Sequence, residues 1–227
     1  MIAAAHLLHL LQLASPSLPI GAYSYSQGLE AALAEGLVTD ADSARRWIVG
    51  QLHDVVALWE APLTWRLMAA FTARDALLVA ELSEKFLASR DTAELRAETV
   101  QMGFSLARLI GELGIADEGA LAMLQAHGEV PLPTAYACAV AALAIPHEEA
   151  LLALLFTWAE NQVLVCVKSV PLGQVAGQKL LLSLGPALEA AALCAQSLAE
   201  HELSNWSPGL SLLSMRHEVQ YSRLYRS

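Results

Sequence analysis

The sequence predicts an all-α fold: one single-domain bundle of eight to ten helices spanning residues 1–227. Three observations lead there. Apolar residues recur at three- and four-residue spacings along most of the chain. Capping residues and prolines punctuate those stretches where helices start. Only one run, VLVCVKSV at Val163–Val170, is rich in β-branched residues. No second strand-like run exists to pair with it, and a lone strand leaves its backbone unsatisfied, so it reads as a buried helix.

Taken in order, Ile2–Leu13 is a short apolar helix stopped by Ser15-Pro16. A second helix is expected from about Ser26 to Glu35, with Ser24 and Ser26 as caps. Asp40–Trp59 sets Trp47, Ile48, Leu52, Val55, Val56 and Trp59 on one stripe. Pro62 then bends the chain or restarts a helix. Asp75–Ser89 follows, with Leu78, Leu82 and Phe86 in register. Asp91-Thr92-Ala93-Glu94 resembles a capping box, opening a helix with Leu95, Met102, Leu106 and Leu109 on one face and Gly111 and Gly114 at its end. Asp117–His127 is another, with Gly128 suited to its C-cap. Val130–Ala159 reads as two buried helices and a turn; Pro146 with Glu148 and Glu149 makes a dipole-matched start. Pro186 opens a helix to about Leu203.

Composition narrows the function. Apolar residues make up 56% of the 227 and charged residues only 16%, so a large core is affordable and some apolar surface suits partner chains. The net charge of −10 argues against nucleic acid and anionic membranes as partners. The charge is uneven: from Leu109 to Met215 the only basic residues are Lys168 and Lys179, whereas the tail RHEVQYSRLYRS carries Arg216, Arg223 and Arg226 against Glu218 alone. Cys138, Cys166 and Cys194 form no C-x-x-C pair and read as buried thiols in a reducing cytoplasm. The run Met1–Leu29 lacks Asp, Glu, Lys and Arg. It also lacks a basic n-region, carries His6 and His9, and breaks at Pro16 and Pro19, unlike a signal peptide or a membrane span.

Chemistry is scarce. GQVAGQKL, Gly173–Leu180, has the wrong spacing for a phosphate loop, and Leu follows Lys179. The seven histidines, His6, His9, His53, His127, His147, His201 and His217, lie scattered, without H-E-x-x-H. Ser24 and Ser26 lack a nucleophile elbow. No catalytic residue, metal ligand or cofactor is therefore assigned. What stands out is three polar segments in an Ala/Leu-rich chain: SPSLPIGAYSYSQGLE (Ser15–Glu30), ENQVLVCVKSVPLGQVAGQ (Glu160–Gln178) and HEVQYSRLYRS (His217–Ser227). Amide, hydroxyl and guanidinium groups without reaction geometry suit recognition.

Those segments together resemble the urease accessory protein UreF family. Its L-P-[IV]-G-[AG]-[FY] motif followed by S-x-G-L-E is present from Leu18 to Glu30. Its E-N-Q … K-x-V-P-L-G-Q segment is matched from Glu160 to Gln174, and its H-x-x-x-x-S-R-L-[FY]-x-S tail from His217 to Ser227. The family's R-x-T-x-E-L-R-x-E stretch is echoed by Arg90–Glu98. The resemblance implies a non-enzymatic, cytoplasmic, dimeric maturation chaperone. It would bridge a UreD/UreH-type protein and the GTPase UreG on apo-urease and assist nickel insertion.

The expected partner-binding residues are Tyr23, Tyr25, Ser26, Gly28, Glu30, Lys168, Gln174, Tyr221, Arg223, Leu224, Tyr225 and Arg226. The tail, residues 216–227, is expected to be flexible. It either orders on binding or packs against the Tyr23/Tyr25 loop, with Arg223 or Arg226 on backbone carbonyls or tyrosine hydroxyls. The competing reading is a helical-bundle enzyme or small-ligand binder using the Tyr23/Tyr25 loop and Lys168.

Overall fold

The computed structural model describes residues 2–126, 128–170 and 172–227. Every regular element among them is helical: α1 Ala4–Leu13, α2 Leu29–Ala34, α3 Ala41–Gln51, α4 Ala61–Thr72, α5 Ala76–Ala88, α6 Ala93–Glu112, α7 Glu118–Gln125, α8 Leu132–Ala142, α9 His147–Ser169, α10 Gln174–Ser183, α11 Gly185–Ser197 and α12 Pro208–Glu218. The all-α expectation therefore holds, and Val163–Ser169 form the last turns of α9, with Val170 as its extended C-cap.

The centre is α8, whose residues Pro133 to Val140 are all buried. A helix apolar on every side belongs inside, and its alanines let neighbours approach closely. α4, α5, α6 and α7 pack on α8, while α9 lies against α4, α10 and α11. Where α6 passes the segment leading into α8, a Cβ on Gly103 would sit 2.0 Å from the Val130 carbonyl oxygen, so that crossing admits only glycine.

α3 and α4 are one rod. Between them Leu52–Glu60 runs as a π-helix, and Pro62 sits in the first turn of α4 without ending the rod. Proline has no N–H and crowds the carbonyl four residues back. The wider π turn relieves that crowding, and the freed Leu58 carbonyl accepts from Ser204 N at 3.1 Å. With α3 and α4 counted as one body and α2 only six residues long, the bundle has the expected size.

Several boundaries differ from expectation. α2 starts at Leu29, because Gln27 and Gly28 hold left-handed φ of 55° and 78° that no helix continues through. α6 is capped by Thr92, whose side chain accepts from Leu95 N at 3.2 Å, and not by Asp91. Asp91 instead accepts from Ser211 Oγ. The reciprocal capping box is at Asp40 and Ser43. α7 begins after the Asp117 cap and ends at Gln125 with Ala126 as C-cap, so Gly128 takes no part, and His127 lies outside the described residues. α11 stops at Ser197. Beyond it Arg66 Nη2 donates to the Leu198 carbonyl at 2.8 Å and Asn205 Nδ2 to the Ser89 carbonyl at 3.0 Å, which draws residues 198–207 off as a strap. On α5 the buried stripe is Val79, Leu82 and Phe86, with Leu78 turned outward.

Candidate interaction site

The three polar segments meet at one place. Gly21, at φ 79°, turns the chain into a short 3-10 turn, Ala22–Ser24, after which Tyr25 is extended. Residues 24–26 then pair with the tail: Arg226 N donates to the Ser24 carbonyl and Ser26 N to the Ser227 carbonyl, each at 2.8 Å. Ser26 Oγ also donates to the Ser227 carbonyl and accepts from Glu30 N at 3.3 Å.

α9 supports this loop from below. Tyr23 Oη donates to Glu160 at 2.8 Å, Asn161 Nδ2 to the Tyr25 carbonyl at 2.9 Å, and Trp158 Nε1 to Gln27 Oε1 at 2.7 Å. α6 closes the side with Glu94, Glu98 and Gln101, four and three residues apart and so on one helix face. Tyr25 Oη donates to Gln101 Oε1 at 3.0 Å. Glu98 accepts from Gln27 Nε2 at 2.5 Å and from Ser227 Oγ at 2.8 Å. Gln27, a non-glycine residue at positive φ, is held by three side chains from two helices, Glu98 of α6 and Trp158 and Gln162 of α9, the over-determination such a conformation requires.

The tail is anchored by two carboxylates. Glu30 accepts from Leu224 N at 2.7 Å, Tyr225 N at 3.0 Å and His217 Nε2 at 3.0 Å. Glu94 accepts from His217 Nδ1 at 2.7 Å and Arg223 Nη1 at 2.8 Å. Carboxylates only accept, so both contacts are hydrogen bonds when His217, fully buried, carries hydrogens on both nitrogens. His217 is thereby held by both ring nitrogens between the Glu30 and Glu94 carboxyl groups. Lys168 Nζ stands 5.6 Å from the centre of the Tyr225 ring, a cation–π distance.

Burial raises the Tyr23 hydroxyl strongly, aided by the bond to Glu160 and its charge. Burial also raises Tyr25, with Arg226 acting against it and the Glu98 charge adding to it, and it raises Tyr225 together with the Glu30 charge. All three stay protonated at neutral pH and act as donors or contact area. Glu98 is pushed by burial to about 7, with the Gln27 and Ser227 donors pulling back.

The expected site residues divide by exposure. Tyr25, Ser26, Gly28, Glu30 and Tyr225 are buried, enclosed by this chain's own loop and tail, and in the free chain they hold the tail. Tyr23 is half-buried. Lys168, Tyr221, Arg223, Leu224 and Arg226 face outward on the same feature. Gln174 is exposed in the first turn of α10 and takes no hydrogen bond from loop or tail. Of the two arrangements foreseen for the tail, the structure shows the packed one, through Arg226 N, Arg223 and the Glu30 carboxylate.

Sequence reasoning missed Gln27, Glu94, Glu98, Gln101, Asn161, Gln162, His217 and Ser227 as individual contacts. The signal was present in Arg90–Glu98, whose Glu94 and Glu98 sit one helical turn apart. Beneath the loop lies a cavity of about 120 Å³ lined by Leu18, Ile20, Met102, Tyr136 and Leu155, with Glu98 in its wall. Tyr23, Tyr25 and Lys168 are not among its lining, so the residues named for a small-ligand site do not converge on it.

Known proteins resemble this chain in sequence. The family model described as UreF matches residues 38–185. Among curated relatives, the urease accessory protein UreF of Janthinobacterium sp. (strain Marseille) is 68% identical, covering 97% of this chain and 98% of its own. That of Nitrosospira multiformis is 60% identical with 97% of each covered, and that of Azoarcus sp. (strain BH72) 53% identical with 97% and 95% covered.

Proposed function

Because the chain belongs to the UreF family of urease accessory proteins, with a role in urease maturation, we propose that it is an adaptor. It bridges a UreD/UreH-type protein and the GTPase UreG on apo-urease and assists nickel insertion. It is an accessory protein and not an enzyme.

The observation that carries this reading is the pinned tail. Polar contacts fix its backbone at Leu224, Tyr225, Arg226 and Ser227, while the side chains of Tyr221 and Leu224 stay exposed. An apolar and aromatic contact area already held in place loses little entropy on binding, which favours affinity. Arg223, Arg226 and Lys168 on the same feature favour a partner surface with acidic groups at its rim. Further exposed apolar side chains, among them Leu8 and Leu11 on α1 and Leu182 and Leu193 on α10 and α11, leave area for other partners and for a second copy in the complex.

The same proposal puts its work in the cytoplasm, away from membranes and nucleic acid. Supporting that are three free cysteines and the acidic balance. One described helix, α9, is long and apolar enough to cross a bilayer, but half of its most apolar window is buried inside the fold.

Co-purification of this chain with apo-urease, the UreD-type protein and UreG, with and without GTP and nickel, tests the proposal. Retention of both accessory partners through this chain is expected. Assembly that proceeds equally well without it would refute the adaptor role.

A further inference from the structure

Glu98 occupies an unusual place between the tail and the interior. It is 3% exposed. One oxygen accepts from Gln27 of the loop and the other from Ser227 of the tail, while the carboxyl forms part of the wall of the apolar cavity. Ser227 is itself 1% exposed, so the tail's end is the cover over one carboxyl oxygen. Lifting the tail gives that oxygen to water.

We propose that Glu98 makes the docked tail a proton-sensitive latch, with the docked form carrying the proton and the released form giving it up.

The charges facing Glu98 from each packed element support this. Glu60, from the π segment, opposes a second negative charge; Arg90, from the α5–α6 connection, partly offsets it but is itself tied to Glu60 at 2.6 Å. From the loop come the neutral Tyr25 hydroxyl and the Gln27 amide; from α9 and α8 come Asn161 and Tyr136, also neutral. The tail brings Ser227 and, near Tyr25, the Arg226 guanidinium. Desolvation therefore dominates, and the docked carboxyl holds its proton up to about 7.

The sign follows. An acid whose docked value is raised above its released value makes docking strongest where both forms are protonated. Docking then weakens as pH rises from the ordinary carboxyl range toward about 7, and levels off above that. Each proton lost on release changes the docked-to-released ratio by up to about tenfold per pH unit across that window. The latch thus holds the tail more tightly in mild acid than above about 7, where the segment bearing Tyr221 and Leu224 is freer to leave the loop. This holds whichever partner takes that surface.

The test is amide hydrogen exchange of the full chain between about pH 5.5 and 8.5. Protection of Leu224, Tyr225 and Arg226 is corrected for the intrinsic rate, and Val140 in α8 serves as an internal control. In the wild type, tail protection should fall by roughly tenfold or more as pH rises to about 7 and then flatten, with Val140 unchanged. In Glu98→Gln, which mimics the protonated form, the fall should disappear. Ser227→Ala keeps both contacts of the Ser227 main-chain oxygen with Ser26. It removes a donor that favours the ionised form, so the pH at which protection levels off should move upward. Tail protection independent of pH in the wild type, a full pH effect retained in Glu98→Gln, or an unmoved plateau in Ser227→Ala would each overturn the proposal.

Discussion

Ser26 and Ser227 lie 201 positions apart and are joined twice: the Ser26 amide donates to the Ser227 carbonyl at 2.8 Å, and the Ser26 hydroxyl reaches the same oxygen. That junction closes the chain's last turn onto the loop before α2. The loop and the tail are therefore one structural feature, and changes in either should read out in the other.

Glu30 is the strongest single anchor. Glu30→Ala leaves the buried His217 and the amides of Leu224 and Tyr225 without their acceptor. Removing one partner of a buried charged network costs roughly 3–5 kcal/mol. A lowered urea midpoint and loss of tail amide protection are expected; an unchanged midpoint would mean the clasp carries no stability.

Gly28 and Gly103 should separate loop geometry from core packing. Gly28 sits at φ 78° with Leu210 Cδ1 3.0 Å from a would-be Cβ, so Gly28→Ala should cost about 1–2 kcal/mol, mainly through backbone strain. In Gly103→Ala the new Cβ meets backbone atoms of Val130 and Pro131 that a flexible side chain could not relieve. Its loss should exceed that of Gly28→Ala by several kcal/mol, on the scale of overpacked cores. Thermal melts of the two variants compare them directly, and a reversed order would contradict this account of the α6 crossing.

The three thiols should react at different rates. Burial pushes Cys138 and Cys166 up to about 12, and both are enclosed, whereas Cys194 is partly exposed on α11. Below the raised values the thiol form dominates, so few thiolates are present at pH 8. An aromatic disulfide reagent should titrate one thiol quickly and the other two only on unfolding. Three fast thiols would show that α8 and α9 open readily.

Much of this was legible from residue spacing. Asp75, Asp117 and Pro146 mark helix starts because start signals are local, although at α6 the cap is Thr92 and not the expected Asp91, and α9 was recoverable because VLVCVKSV had nothing to pair with. The resemblance drew attention to Ser15–Glu30, Glu160–Gln178 and His217–Ser227, which the structure brings together. The contacts inside it were not legible: a bond from Ser227 to Glu98 spans 129 positions, and no local pattern announces it. Burial also reverses the simple reading of a polar motif. Tyr25, Ser26 and Glu30 looked like presented groups, yet they are inside because the tail covers them. Likewise α3 and α4 continue through Pro62 because a carbonyl from the π turn finds Ser204, a tertiary contact that propensity does not encode.

The most direct test of the adaptor reading uses the exposed side chains alone. Tyr221→Ala with Leu224→Ala removes contact area and leaves every backbone bond of the clasp in place. The measurement is the amount of UreD-type protein and UreG that co-purifies with the double variant, alongside its thermal stability. The account predicts stability within about 0.5 kcal/mol of the wild type and retention of partners reduced at least tenfold. Wild-type retention by a correctly folded double variant would contradict it.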